Sequence, residues 1–391
     1  MYLTFKTRLM PTQEQEILFK KSAGTARWAY NYYLSECERV YQEYLNNGGV
    51  GNKTISTYDV LKYVNNELKP YTHTWLRDVS SNVMKKGVMD AGNAYERYFR
   101  KKAEKPCYKI KNKTKSSFYV NSETLKRTQR GFRGERLGEV KTTQSLSKLP
   151  KGVKYYNPRI THDGIHWYLS VGYKVESQEV ELTGESIGVD VGITKLAVLS
   201  NGKTYSNINK TQKVKNIEKK LRREQRKLSR KLESNIMNRD NNQRPVYKKP
   251  LDECKNYQKQ KLVVRKLHKQ LNDIRQNYLH QTTCEIVKTK PSRIVVETLN
   301  IKGMLKNKHL AKSIRNQKLY EFKRQLKYKS ELYNIVFIEV DTYYPSSKLC
   351  SRCGYKKTDL KLSERIYNCV ECNLVMDRDL NASLNLSQYI E

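Results

Sequence analysis

The sequence predicts a multidomain chain of mixed class, α+β in its first half and α/β in its second. Three observations carry that expectation: a helical pattern over residues 12–104, short strand-like runs after Pro106, and strands alternating with long helices from Ser186. A chain of 391 residues has room for about two to four domains and a sizeable core.

Residues 2–9 alternate as an extended strand, which Pro11 stops. Thr12 with Gln15 three residues on makes a capping box, opening a helix that carries Ile17, Leu18, Trp28, Tyr30 and Tyr33. Gly48-Gly49-Val50-Gly51 marks a loop. Two further helical patterns follow, near residues 58–68 and 78–102. The second takes Val83, Val88, Met89, Ala91, Ala94 and Phe99 as its apolar face. Strands are then expected at 116–120, 159–162 and 165–175. The last two flank Asp163-Gly164, a hairpin signal. Residues 128–152, ahead of that hairpin, are polar and rich in Gly and Lys. The N-terminal strand is free to complete the sheet of this β-rich region.

Residues 186–193 and 195–199 read as paired strands, closed downstream by Asn201-Gly202. Two long basic helices follow. Val214, Ile217, Leu221, Leu228 and Leu232 line the first, and Val264, Leu267, Leu271, Ile274 and Tyr278 line the second, so the two can pack as a hairpin. Residues 234–257, polar with two prolines, read as a mobile linker. A buried-type strand at 293–298, a basic helix near 319–332, a strand at 334–340, a cysteine module and a helix from about Asn381 complete the chain.

The formal net charge is +37, from 76 Lys and Arg against 39 Asp and Glu. A charge that large repels itself and calls for a polyanionic partner, with nucleic acid first and a membrane surface second. The basic residues are spread along the whole chain rather than set beside an apolar anchor, which disfavours the membrane. No run of residues is long and apolar enough for a membrane span, and residues 1–6 lack the features of a signal peptide. The expected location is the cytoplasm, where paired cysteines hold metal more often than they form disulfides. Cys37, Cys107, Cys254 and Cys284 stand singly and read as packing residues. Tyrosine outnumbers phenylalanine 29 to 7, a bias that suits base stacking, although most tyrosines will simply pack.

Cys350, Cys353, Cys369 and Cys372 form two Cys-x-x-Cys pairs separated by fifteen residues, the spacing of a tetrahedral Zn2+ site. Gly354 and Asn373 supply the tight turns of two knuckles. Four thiolates leave no open position, so the zinc is structural. Asp190 lies in the apolar run Ile187-Gly188-Val189-Asp190-Val191-Gly192, where a buried acid needs a cation or hydrogen bonds. The flanking glycines let something large approach the backbone. Glu297 closes the run Ile294-Val295-Val296, at a strand end that either carries function or is merely exposed. Asp379 either contributes to a site or caps the last helix. Two strand acids and one helix-start acid can converge on paired Mg2+ ions suited to phosphodiester chemistry. The histidines form no zinc-protease pair, because the Asp163-Gly164 turn separates His162 from His166. A Walker loop, a nucleophile elbow and a dinucleotide fingerprint are missing.

With these residues in hand, the chain resembles the TnpB family of transposon-encoded RNA-guided DNA endonucleases, relatives of the type V CRISPR effectors. The resemblance rests on Gly188-Val189-Asp190-Val191-Gly192, Val295-Val296-Glu297-Thr298-Leu299-Asn300, Ser346-Ser347-Lys348-Leu349-Cys350-Ser351-Arg352-Cys353-Gly354 and Asp377-Arg378-Asp379-Leu380-Asn381-Ala382-Ser383. Near the N-terminus it adds Met10-Pro11-Thr12-Gln13-Glu14-Gln15 and Gly24-Thr25-Ala26-Arg27-Trp28-Ala29-Tyr30-Asn31. It implies a helical recognition domain at 12–110 and a β-barrel wedge domain at 111–184, with its first strand at 1–11. It further implies an RNase H-like RuvC domain at 185–391, split by a zinc module at 345–376. Asp190, Glu297 and Asp379 would be the catalytic acids on two Mg2+ ions, with Asp377 the alternative third acid. The implied partners are a guide RNA transcribed from the transposon end and double-stranded target DNA. In such systems base pairing reads the target, while the protein reads a short adjacent motif. A nuclease-inactive RNA-guided repressor and an accessory transposon DNA-binding protein are the rival expectations. The first should lack one of the carboxylates, and all three are present.

Overall fold

The computed structural model describes every residue but 145, 147, 148, 151, 362 and 391, and every side chain among these but that of Lys302. The chain divides into two units, Tyr2–Val175 and Glu176–Glu391, the latter taking in Met1.

In the first unit the alternating N-terminal residues form β1 (Tyr2–Met10). The Thr12–Gln15 capping box is present in both directions and opens α1 (Gln13–Asn46). Next come α2 (Thr57–Tyr63), which runs on into a π-helical stretch at Val64–Thr72, and α3 (Ser81–Phe99). Six strands follow: β2 (Ser117–Tyr119), β3 (Lys126–Arg127), β4 (Gly131–Gly134), β5 (Gly138–Thr142), β6 (Tyr156–His162) and β7 (Trp167–Lys174). Along α1 the buried residues Phe19, Ala23, Tyr30, Tyr33, Leu34 and Cys37 recur at helical spacing. Its first turns pack on the sheet through Phe19, Phe118 and Trp167. Its later turns form a second core with Val60, Val64, Met84, Val88 and Ala91.

The seven strands run in the order β2-β6-β7-β1-β5-β4-β3. The N-terminal strand is therefore central to the sheet, paired with β7 along Tyr2–Arg8 and with β5 at Leu9 and Met10. The expected barrel is not closed: β2 and β3 lie at opposite ends of the order, and no pairing joins them among the described residues. Strands of three and two residues offer too few hydrogen bonds to complete a closure. The polar stretch 128–152 holds β4 and β5 and buries Phe132 and Val140 completely. On α3, Met89 and Phe99 face solvent rather than the core, as does Ile17 on α1. Of the single cysteines, Cys37 packs in a core, Cys254 is half-buried, and Cys107 and Cys284 are exposed.

The second unit is built on β8 (Thr183–Val191), β9 (Lys195–Leu199) and β10 (Thr204–Ser206), an antiparallel meander. α4 (Gln212–Glu233), β11 (Ile236–Arg239), β12 (Pro245–Tyr247) and α5 (Lys255–Lys288) follow, so the expected linker is a β-hairpin between two long helices. Val214 and Leu221 of α4 pack on Val264, Leu267 and Leu271 of α5, as their spacing predicts. β13 (Pro291–Glu297), α6 (Ile301–Met304), α7 (Ala311–Gln317), α8 (Leu319–Leu332) and β14 (Val336–Val340) come next. The chain then forms the hairpin β15 (Ile366–Asn368) and β16 (Val375–Asp377) and the helix α9 (Arg378–Ser387).

The main sheet has the order β10-β9-β8-β13-β14, with β13 parallel to both of its neighbours. Side chains alternate across it. Ile187, Val189, Ile294 and Val296 face α5 and α8, packing on Leu279, Ile286, Phe322 and Leu326. Val295, Ile338 and Val340 face α9 and pack on Leu386. No helix among the described residues is long and apolar enough to cross a membrane.

Candidate active site

Glu297 ends β13, and Asp190 is the next-to-last residue of β8, the adjacent parallel strand. Val295 pairs with Gly188 and Val296 with Val189, so the next step of the register sets Glu297 beside Asp190. Both fall on the α9 face, because they alternate with Val189 and Val296 on the other face. Asp379 enters from the first turn of α9.

Gly188 explains how α9 reaches this face. A Cβ at that position would lie 1.9 Å from the Ser383 carbonyl oxygen and 2.5 Å from the Ser387 nitrogen. The large object admitted by that glycine is thus the chain's own closing helix. Hydrogen bonds complete the seat: the Ser186 hydroxyl and the Arg293 guanidinium donate to the Ser387 carbonyl at 2.7 and 3.0 Å.

Asp377, rather than Asp379, caps α9. Its Oδ1 accepts from the backbone N–H groups of Asp379 and Leu380 at 2.9 and 3.1 Å. The Asp379 carboxylate is left out of the cap, with the Lys195 ammonium 4.0 Å away. Lys195 lies closer to Asp377, at 3.3 Å. This lysine gave no signal in the sequence, since it reaches the acids only through the antiparallel turn from β8 into β9.

The electrostatics are those of crowded acids. Burial, then the charges of Glu297 and Asp379, push the Asp190 carboxyl up to about 8, with Arg378 opposing and Asp377 adding a little. Burial also raises Glu297, against a hydrogen bond from the Ser346 hydroxyl. Asp377 behaves differently: burial works to raise it, but the Leu380 N–H and Lys195 together hold it below the usual carboxylate range. Hard oxygen donors that repel one another around a buried Asp190, with Arg378 only partly offsetting them, fit a divalent cation site. They are not drawn as tight as the cysteines. Among the described residues, only Cys350, Cys353, Cys369 and Cys372 bring three or more metal-type donor atoms within 4.8 Å of one another.

In that quartet the Cys350–Cys372 and Cys353–Cys369 sulfurs are 3.5 Å apart. A ZnS4 tetrahedron with bonds of about 2.3 Å has edges of about 3.8 Å, so the donors fit zinc. Gly354 and Asn373 take positive φ, +76° and +55°, at the two expected knuckle turns. The module is tied to α9. Asn381 donates to the Leu349 carbonyl at 2.6 Å and accepts from the Ser351 N–H at 3.0 Å, while Asn385 donates to the Ser346 and Leu349 carbonyls at 2.7 Å each.

A mixed sheet with acids at its strand ends, closed by a helix tied to a four-cysteine cluster that could hold a metal ion, defines a mixed α/β fold class. Three family profiles match along the chain: "Helix-turn-helix domain" at residues 1–46, "Probable transposase" at 170–308 and "Cas12f1-like, TNB domain" at 320–386. The chain is 28% identical to "Putative RNA-guided DNA endonuclease InsQ" of Escherichia coli (strain K12), over 98% of this chain and 90% of the relative. It is 26% identical to a "Putative RNA-guided DNA endonuclease" of Streptomyces pristinaespiralis, over 98% and 88%. Its fold is similar to that of a chain in a cryo-EM structure of a Cas12f1-sgRNA-target DNA complex, with TM-score 0.57 and 13% identity over 99% and 98% of the two chains. Over nearly its whole length the chain is thus similar to proteins named as putative RNA-guided DNA endonucleases.

Proposed function

We propose that this protein is an RNA-guided DNA endonuclease, with Asp190, Glu297 and Asp379 as its catalytic acids. The observation that carries the reading is their convergence: two acids side by side at the ends of parallel strands, with a third in the first turn of the helix packed over them. Paired Mg2+ ions bound by these carboxylates would supply the Lewis acidity for phosphodiester hydrolysis. The residues themselves hold that geometry. Ser346 orients Glu297 through its hydroxyl, Asp377 fixes the start of α9, and Lys195 keeps a positive charge at the edge of the cluster. The cysteine module would hold structural Zn2+ and brace α9 through Asn381 and Asn385.

Within this reading residues 12–110 serve as the recognition domain, 1–11 with 111–184 as the wedge domain and 185–391 as an RuvC-type nuclease domain. The five-stranded mixed sheet supports an RNase H-like assignment for the last. The net charge of +37 supports a guide RNA and double-stranded target DNA as partners, the RNA coming from a transposon end. The test is Asp190→Ala, assayed with the co-purified RNA and a matching DNA in Mg2+. Cleavage should disappear while the RNA stays bound; cleavage at the unaltered rate would refute the assignment.

A further inference from the structure

On the guide-RNA reading above, we propose that a cleft between α1 and α3 takes one unpaired RNA base, stacked on Tyr98 and Phe99. The cleft has a volume of about 270 Å³ and is lined by Cys37, Glu38 and Tyr41 of α1, by Tyr95, Tyr98 and Phe99 of α3, and by Lys53, Thr54 and Lys105. That is close to the lower end of small-ligand sites, room for a single heterocycle.

Helical spacing builds the aromatic wall. Residues 95, 98 and 99 share one face of α3, and the Tyr95 and Phe99 rings stack at 5.8 Å while Tyr98 and Phe99 meet at 5.5 Å. Tyr95 is buried, resting near Tyr33, and forms the floor. Phe99 is 57% exposed, Tyr41 46% and Tyr98 38%, an apolar concentration unusual on so basic a surface.

The polar groups state the ligand's chemistry. Lys53 and Lys105 are among the lining residues, cations suited to the backbone phosphates on either side of an inserted base. Glu38 accepts from the Tyr108 hydroxyl at 2.7 Å and lies 3.9 Å from Lys105, a carboxylate held in place to receive a base N–H. Aromatic faces, paired cations and one fixed acceptor suit a base with its phosphates better than an apolar peptide. A base pair would not enter, so the site selects single-stranded or looped RNA.

The test uses the full chain and a short single-stranded RNA carrying 4-thiouridine. Irradiation should place crosslinks on Tyr98, Phe99 or Tyr41, and Tyr98→Ala with Phe99→Ala should weaken RNA binding roughly five- to a hundredfold. Tyr98→Phe, which keeps the ring, should bind as the unaltered chain does. Retained RNA with neither these crosslinks nor any loss in the alanine variant overturns the cleft and leaves the guide-RNA reading standing. No RNA retention by the unaltered chain overturns both. An alanine variant that converts a dimer to a monomer in light scattering, with RNA affinity unchanged, assigns the cleft to a second copy and also overturns the proposal.

Discussion

The cysteine quartet and the carboxylate trio are both sets of metal-type ligands, and the fold assembles them in opposite ways. The thiols come from two knuckles in one short segment, and their sulfurs already lie within 4.8 Å of one another. The acids come from β8, β13 and α9, far apart in sequence, and meet only because Gly188 lets α9 settle on the sheet. One set is local and neutral until its thiols ionise. The other is long-range, buried and self-repelling, and burial first and repulsion second raise Asp190. The first suits a permanent structural ion, and the second suits ions that come and go with substrate.

The largest effect should come from breaking the local set. Cys369→Ser, or a strong chelator, should strip the zinc, whose binding in structural sites is worth about 10–16 kcal/mol. Residues 345–377 should then lose hydrogen-exchange protection, the Tyr367 amide included. Asn381 and Asn385 would lose their anchors, so cleavage should fall as well. Unchanged protection on zinc loss would mean that the segment folds without its metal.

Next in size is the seat of the long-range set. Gly188→Ala puts a methyl into backbone atoms of α9, and overpacking of this kind costs about 1–3 kcal/mol. Urea unfolding should report that loss, and cleavage should drop further than stability because Asp379 moves with the helix. An unaltered midpoint would show that α9 does not rest on β8 as described.

The two sets should also answer pH with opposite signs. In metal-free protein the folded Asp190 keeps its proton up to about 8, whereas an unfolded aspartate loses it near 3.8. Between those values the folded state binds more protons, so its stability falls as pH rises. Asp190→Asn should remove that slope and stabilise the metal-free form at pH 8 by on the order of 1–3 kcal/mol. The cysteine module should instead weaken on acidification, because protons compete with zinc for the thiolates. Melting temperatures across pH with and without chelator separate the two; a flat profile for the unaltered, Mg2+-free chain would refute the raised carboxyl.

How much of this was legible follows from the same contrast. The knuckles, the capping box at Thr12 and the packing of α4 on α5 rest on neighbours a few residues apart, so spacing alone reveals them. The meeting of Asp190, Glu297 and Asp379 depends on sheet register and on a helix contributed from the end of the chain. Residue types and positions allowed such a convergence, and the family resemblance singled these three out as catalytic acids in advance. β4 and β5 were hidden because Gly131, Gly134 and Gly138, with interleaved charges, erase the alternation that marks a strand. The β11–β12 hairpin was hidden by its prolines and polar residues, which read as a linker until Pro245 is seen to begin an edge strand. Lys195 stayed silent because its role exists only across the β8–β9 turn.

The smallest effect addresses the pair Asp377 and Asp379, which the sequence left open as third acid. The hydrogen bonds divide their labour: Asp377 holds the backbone of α9, and Asp379 turns its carboxylate toward Lys195 and the strand acids. Asp377→Ala should therefore cost a capping bond, about 1 kcal/mol in thermal unfolding, and Asp377→Asn should restore it because the amide oxygen still accepts. Asp377→Asn should retain most cleavage, while Asp379→Asn, with its cap intact, should lose nearly all of it. If the asparagine at 377 were instead the one that abolished cutting, the capping residue would itself be a ligand, and the separation of scaffold from chemistry in this cluster would fail.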